Sequence, residues 1–102
     1  MIHVIASIDA NPGSREAFLA VFRELVPAVR AEAGCVEYGP AVDVTPGLPR
    51  QVAYRENTVT IIEQWETLDA LEAHLAAPHM ADYREKVKDL VAGVTLQVLE
   101  TA

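Results

Sequence analysis

His74 and His79 stand five residues apart in WETLDALEAHLAAPHM (residues 65–80), the segment that also carries the chain's only tryptophan, Trp65. Two neighbouring imidazoles point to metal ligation or to acid–base work, because a neutral imidazole ligates and the group titrates near neutrality. The spacing speaks against metal. Five residues at roughly 100° each would put the rings about 140° apart on a continuous helix, and Pro78 interrupts such a helix. No third ligand is evident either, where catalytic zinc normally takes three, so no resident metal is expected. His74 follows Leu71 by three and precedes Leu75. It is therefore either a hydrogen-bonded histidine at the edge of the core or a proton acceptor facing an apolar pocket. His79, directly after Pro78, reads as a surface residue at a helix start. Glu63 and Trp65 share a strand face with Val59 and Ile61, so the carboxylate is held by a partner or lies near the strand's open end. The indole is a core anchor or a flat wall for an aromatic ligand. Tyr38 and Tyr83 read first as packing residues. No glycine-rich phosphate loop, nucleophile elbow or paired-carboxylate pattern occurs, so no flavin or nucleotide site is expected.

The elements that must position these residues fit within 102 residues, a length that favours one domain, 1–102. Half of the residues are hydrophobic, yet no apolar run reaches the roughly 18 to 20 residues of a membrane span. The opening MIHVIASIDANPG alternates as a strand does and lacks the basic and small-residue marks of a signal peptide, so a cytoplasmic location is the expectation. Cys35 is the only cysteine, which excludes an internal disulfide and a cysteine-built zinc site. The formal charge is −7 and the basic residues are scattered along the chain, which makes nucleic acid and anionic membrane poor partners.

Residues 2–9 place Ile2, Val4, Ala6 and Ile8 on one strand face, and Asn11, Pro12 and Gly13 break the strand. Ser14 opens a helix carrying Phe18, Phe22, Leu25 and Val29, with Pro27 kinking it near Arg23 and Gly34 ending it. Residues 35–44 read as a second strand, with Gly39 and Pro40 marking a bulge or an edge. Residues 45–57 read as a connection that acts either as a rim over a binding pocket or as a passive surface hairpin. Residues 59–66 form a third strand. Thr67 caps a short helix with Leu68, Leu71 and Leu75; Pro78 breaks it, and Met80, Tyr83, Val87, Leu90 and Val94 extend a further helix to Gly93, with VTLQVLE as the last strand. The order strand, helix, strand, strand, helix, strand is the α+β, ferredoxin-like split β-α-β arrangement with an antiparallel sheet. Helices cover one sheet face. The other carries Ile5, Ile62 and Leu99 among polar residues, too apolar to be left wet, which predicts a homodimer through these faces.

AEAGCVEY (residues 31–38) and EQWETLDALEAHLAAPHM (residues 63–80) resemble the antibiotic biosynthesis monooxygenase family, which includes small quinol monooxygenases, and the order of elements agrees over nearly the whole chain. The resemblance implies a dimeric α+β barrel with a pocket between sheet and helices. It also implies oxidation of a small phenolic, quinol or polyketide-type aromatic substrate by O2, with no flavin, haem or metal cofactor. On that expectation His74 is the catalytic base, Trp65 the aromatic wall, and Tyr38, His79 and Tyr83 polar contacts to substrate. The haem-degrading branch has an asparagine, a tryptophan and a histidine where Ser7, His74 and Arg84 stand here, so haem oxygenation is disfavoured. The polyketide-oxidising branch has an asparagine in the place of Ile61. Two other readings accompany the resemblance: isomerisation of a small carbonyl compound, which a histidine base also serves, and a non-catalytic binding or dimerisation module in which His74 is structural.

Overall fold

Period-two alternation of apolar residues builds a four-stranded antiparallel sheet from β1 (Ile2–Ala10), β2 (Cys35–Ala41), β3 (Thr58–Trp65) and β4 (Val91–Glu100), in the order β2-β3-β1-β4. The computed structural model describes all residues, 1–102. Three helices complete it: α1 (Arg15–Arg30), α2 (Leu68–Leu75) and α3 (Pro78–Val87). One sheet face presents Val4, Ala6 and Ile8 from β1, Val59, Ile61, Glu63 and Trp65 from β3, and Tyr38 from β2, all buried. Against them α1 packs Phe18, Leu19, Phe22, Leu25, Val26 and Val29, which recur at the spacing of one helix face. Tyr38, Phe22, Phe18 and Tyr83 stack edge to face or in parallel at centroid separations of 5.4 to 6.2 Å, within the range in which aromatic pairs attract.

α1 is one unbroken helix. Pro27 sits on its exposed side, so the carbonyl that Pro27 cannot serve is left to solvent and not to the core. The helix ends at Arg30, a little before the glycine expected to stop it; Gly34 instead takes φ +80 in the turn into β2. That turn presses on α2, since a Cβ at Gly34 would lie 2.6 Å from the Ala70 Cβ. β2 is indeed an edge strand, but its register shift falls between Cys35 and Glu37, and not at Gly39 and Pro40. Thr67 caps α2 as expected, its hydroxyl oxygen accepting from the Ala70 N–H at 3.1 Å.

The end of the chain departs most from the sequence expectation. α3 stops at Val87, and Val91 already belongs to β4. A bulge between Asp9 and Ala10 lets Val91 pair with Ala10 while Val94 pairs with Ile8, so both residues face the helices. Residues 43–57 form a surface loop pinned by the Arg55 guanidinium donating twice to the Asp43 carboxylate, at 2.8 and 2.9 Å, and by Arg15 donating to the Tyr54 hydroxyl. The sheet face away from the helices has no cover: Ile62 and Leu99 are exposed and Ile5 is half-buried. No helix is long and apolar enough to cross a membrane.

Candidate functional site

The buried end of β3 delivers a carboxylate and an indole side by side. Glu63 and Trp65 are two apart and share a face, and the Trp65 Nε1–H donates to Glu63 Oε1 at 3.0 Å. Neither is left with an unpaired buried polar atom. Burial pushes the Glu63 carboxyl above its ordinary range, and the indole N–H opposes this only in part. Replacing Glu63 with glutamine tests that cost. A carboxyl whose folded pKa is raised adds stability that is fully present below its unfolded pKa and is lost as pH rises through the folded value. Glu63→Gln lacks that loss. Its melting temperature relative to the wild type is therefore expected to rise as pH climbs above the ordinary carboxylate range; a difference that stays constant as pH rises would mean Glu63 ionises in the fold without penalty.

His74 comes from the last turn of α2 and is only 1% exposed. Its ring lies against Trp65 at 4.7 Å and Tyr38 at 5.4 Å between centroids. Its Nε2 edge faces Glu63, 4.0 Å from Oε1. Its Nδ1 lies 2.8 Å from Oε2 of Glu32, a residue of the turn after α1. The same carboxylate oxygen takes Nε2 of His79 at 2.9 Å. A carboxylate only accepts, so both imidazoles direct N–H groups at it, and His74 is held as the tautomer with its proton on Nδ1 and a free lone pair on Nε2. Burial lowers the His74 pKa, with Glu32 pulling the other way, so the ring is neutral at neutral pH.

The chain folds to this arrangement for local reasons. Gly34 lets the 31–34 turn lie on α2, and Glu66 N–H donates to the Gly34 carbonyl, which brings Glu32 beside His74. Pro78 at the first position of α3 starts a new helix after the Ala76–Ala77 break, and Arg84 donates to the Leu75 carbonyl across it. The break removes the angular objection to the two histidines, because they sit on two helices. The third ligand that the sequence did not offer is Glu32: one atom each from Glu32, His74 and His79 lies within 4.8 Å of the others.

On the Nε2 side of His74 a cavity of about 430 Å³ opens between α2, α3 and the sheet, a size common for small-molecule sites, which run to roughly 300–1,000 Å³. Ala6, Phe22, Ile61, Met80, Val87 and Leu96 give it apolar walls; Tyr38, Glu63, His74 and Tyr83 are its inner polar groups, and Arg84 and Lys88 add cationic groups to its lining. Burial pushes both phenols up, Tyr83 to about 12 and Tyr38 further, so both stay protonated and can donate. Of the five residues picked from sequence, His74, Tyr38 and Tyr83 line this cavity. Trp65 does not: fully buried, it backs His74 and Glu63 from behind. His79 lies on the far side of Glu32, about a third exposed. The 43–57 loop contributes no lining residue, so within this chain it is not the pocket's rim. Glu32 and Arg84 were the residues sequence reasoning missed.

Comparison with known proteins agrees with this frame. The chain is 41% identical to the probable quinol monooxygenase YgiN of Escherichia coli over 98% of its own length and 97% of the relative's. It superposes on the crystal structure of PA3566 from Pseudomonas aeruginosa with a TM-score of 0.82 and 31% identity, covering 99% of this chain and 93% of that one. Rv0793 from Mycobacterium tuberculosis gives 0.79 and 26%, covering 99% and 94%. Residues 1–86 match the antibiotic biosynthesis monooxygenase pattern, and the chain belongs to that family.

Proposed function

We propose that the protein is a cofactor-independent monooxygenase that oxidises a small phenolic or quinol substrate with O2, using His74 Nε2 to take the substrate's hydroxyl proton. Membership of the family and the likeness to a probable quinol monooxygenase support the monooxygenase class. The observation that carries the rest is the buried His74 ring, fixed by Glu32 with its free nitrogen at the polar end of an apolar cavity. A phenol oxygen placed near that nitrogen meets a neutral imidazole, the form a general base needs. Phenolate formation raises the ring's electron density so that it passes an electron to O2, and the apolar walls keep water from the radical pair. For a hydroquinone the atoms balance as quinol plus O2 giving hydroxyquinone plus water. One oxygen atom enters the ring, the other leaves as water, and the substrate supplies all the electrons. On this reading Tyr38 and Tyr83, both protonated and both lining the cavity, donate to the substrate's oxygens.

The uncovered sheet face supports a second proposal, that Ile5, Ile62 and Leu99 meet their counterparts in a second copy. A monomer by light scattering at micromolar concentration removes it. The oxidation is tested by oxygen uptake with a panel of quinols and naphthol-like phenols in metal-free buffer, with equal consumption of substrate and O2 expected. Deuterium exchange into a small carbonyl compound without oxygen uptake would mark the isomerase reading instead, and neither activity would leave a binding module.

A further inference from the structure

We propose that Glu32, His74 and His79 form a binding site for a divalent d-block cation, with zinc as the representative ion, and that filling it takes His74 out of use as a base. The second half rests on the proposed role of His74; the first does not. Two imidazole nitrogens and one carboxylate oxygen are a donor set suited to zinc and its neighbours. Here they come from three separate pieces of chain, the turn after α1, the end of α2 and the start of α3. Nδ1 of His74 and Nε2 of His79 already converge on one point, the Glu32 oxygen at 2.8 and 2.9 Å. A small displacement of that carboxylate leaves a cation facing both ring lone pairs once each ring's proton has moved to its other nitrogen.

Two further features belong to a metal site and not to a bare hydrogen-bond cluster. The other nitrogen of His74 faces the Glu63 carboxyl, itself held by the Trp65 N–H, at 4.0 Å; an approach of about 1 Å makes the hydrogen bond of a carboxylate–histidine–metal series, which orients a ligating ring and tunes its basicity. There is also a way in: His79 opens on a surface cleft between α1 and α3 that carries Glu24 and Asp82 against the single cation Lys86. The cavity of the proposed reaction lies on the opposite edge of the His74 ring. A cation on Nδ1 forces the remaining ring proton onto Nε2, which then donates and no longer accepts. Metal occupancy and phenol deprotonation therefore exclude one another.

The test is zinc competition against a chromophoric chelator with tag-free, chelator-treated protein. One zinc per chain is expected. His79→Gln, at a partly exposed position that tolerates the change, is expected to weaken binding at least tenfold, and Glu63→Gln by about 10- to 100-fold. Zinc bound equally by wild type and His79→Gln is held elsewhere, for instance at His3 on the other sheet face, and overturns the site. Zinc that binds as expected but leaves quinol-dependent oxygen uptake untouched overturns the exclusion. Because binding is measured without turnover, a protein that takes zinc but oxidises no quinol sinks the proposed function and leaves the site standing.

Discussion

Replacing His74 with glutamine is expected to lower turnover by roughly 10²-fold or more, the low end of what a positioned general base contributes. Glutamine offers similar reach and can still hydrogen-bond Glu32, but has no basic nitrogen to put at the cavity. The fold should survive. Circular dichroism and the melting curve check that, and kcat is read per folded molecule. In the wild type the acid limb of kcat/KM should lie below the ordinary imidazole value near 6.5, because burial lowers the His74 pKa. The limb should vanish in the variant. If His74→Gln lowers only the melting temperature, with activity per folded molecule intact, then the histidine is a packed core residue.

The second large effect is on stability. Trp65 is the largest fully buried side chain, and Trp65→Ala should cost about 3–5 kcal/mol, a large part of the roughly 5–15 kcal/mol that holds a domain together. Two losses combine: a cavity opens behind His74, and Glu63 Oε1 loses its donor. Trp65→Phe separates them. It keeps most of the ring and strands the carboxyl, for which about 1–3 kcal/mol is typical. Urea midpoints at unchanged slope give both numbers. A Trp65→Ala cost below about 1 kcal/mol would show that the surrounding chain collapses into the space, and His74 would then be free to leave its Nε2-inward pose.

What was legible in the sequence follows from what each signal encodes. The sheet faces were readable because β1 and β3 alternate cleanly, Val4, Ala6 and Ile8 against Val59, Ile61 and Glu63. The α3–β4 boundary was not. Val87, Leu90 and Val94 recur at spacings of three and four, which reads as helix, although from Val91 the backbone is extended. The closeness of His74 and His79 was not legible, because an angle along a continuous helix says nothing about two rings once the chain restarts at Pro78. Glu32 carried no signal at all: it sits in a turn, and its partner His74 lies 42 positions away. Only the close approach of Gly34 to Ala70 brings that turn to the site, and such an approach has no periodicity.

The strand order has a consequence for how the molecule comes to exist in time. β1 is first along the chain yet lies between β3 and β4, and His3 meets Thr101 across 98 positions. Contacts this distant in sequence slow folding, because the chain must close long loops before the central pairings reward it. During synthesis one edge of β1 waits for β3 and the other for β4, nearly the whole chain later, and until then its backbone donors and acceptors are accessible to chaperones or to other nascent chains. The last strand to arrive, β4, also supplies Val91, Val94 and Leu96 to the cavity wall. Completion of the sheet and completion of the site are thus one event, and a chain released before Val91 has neither.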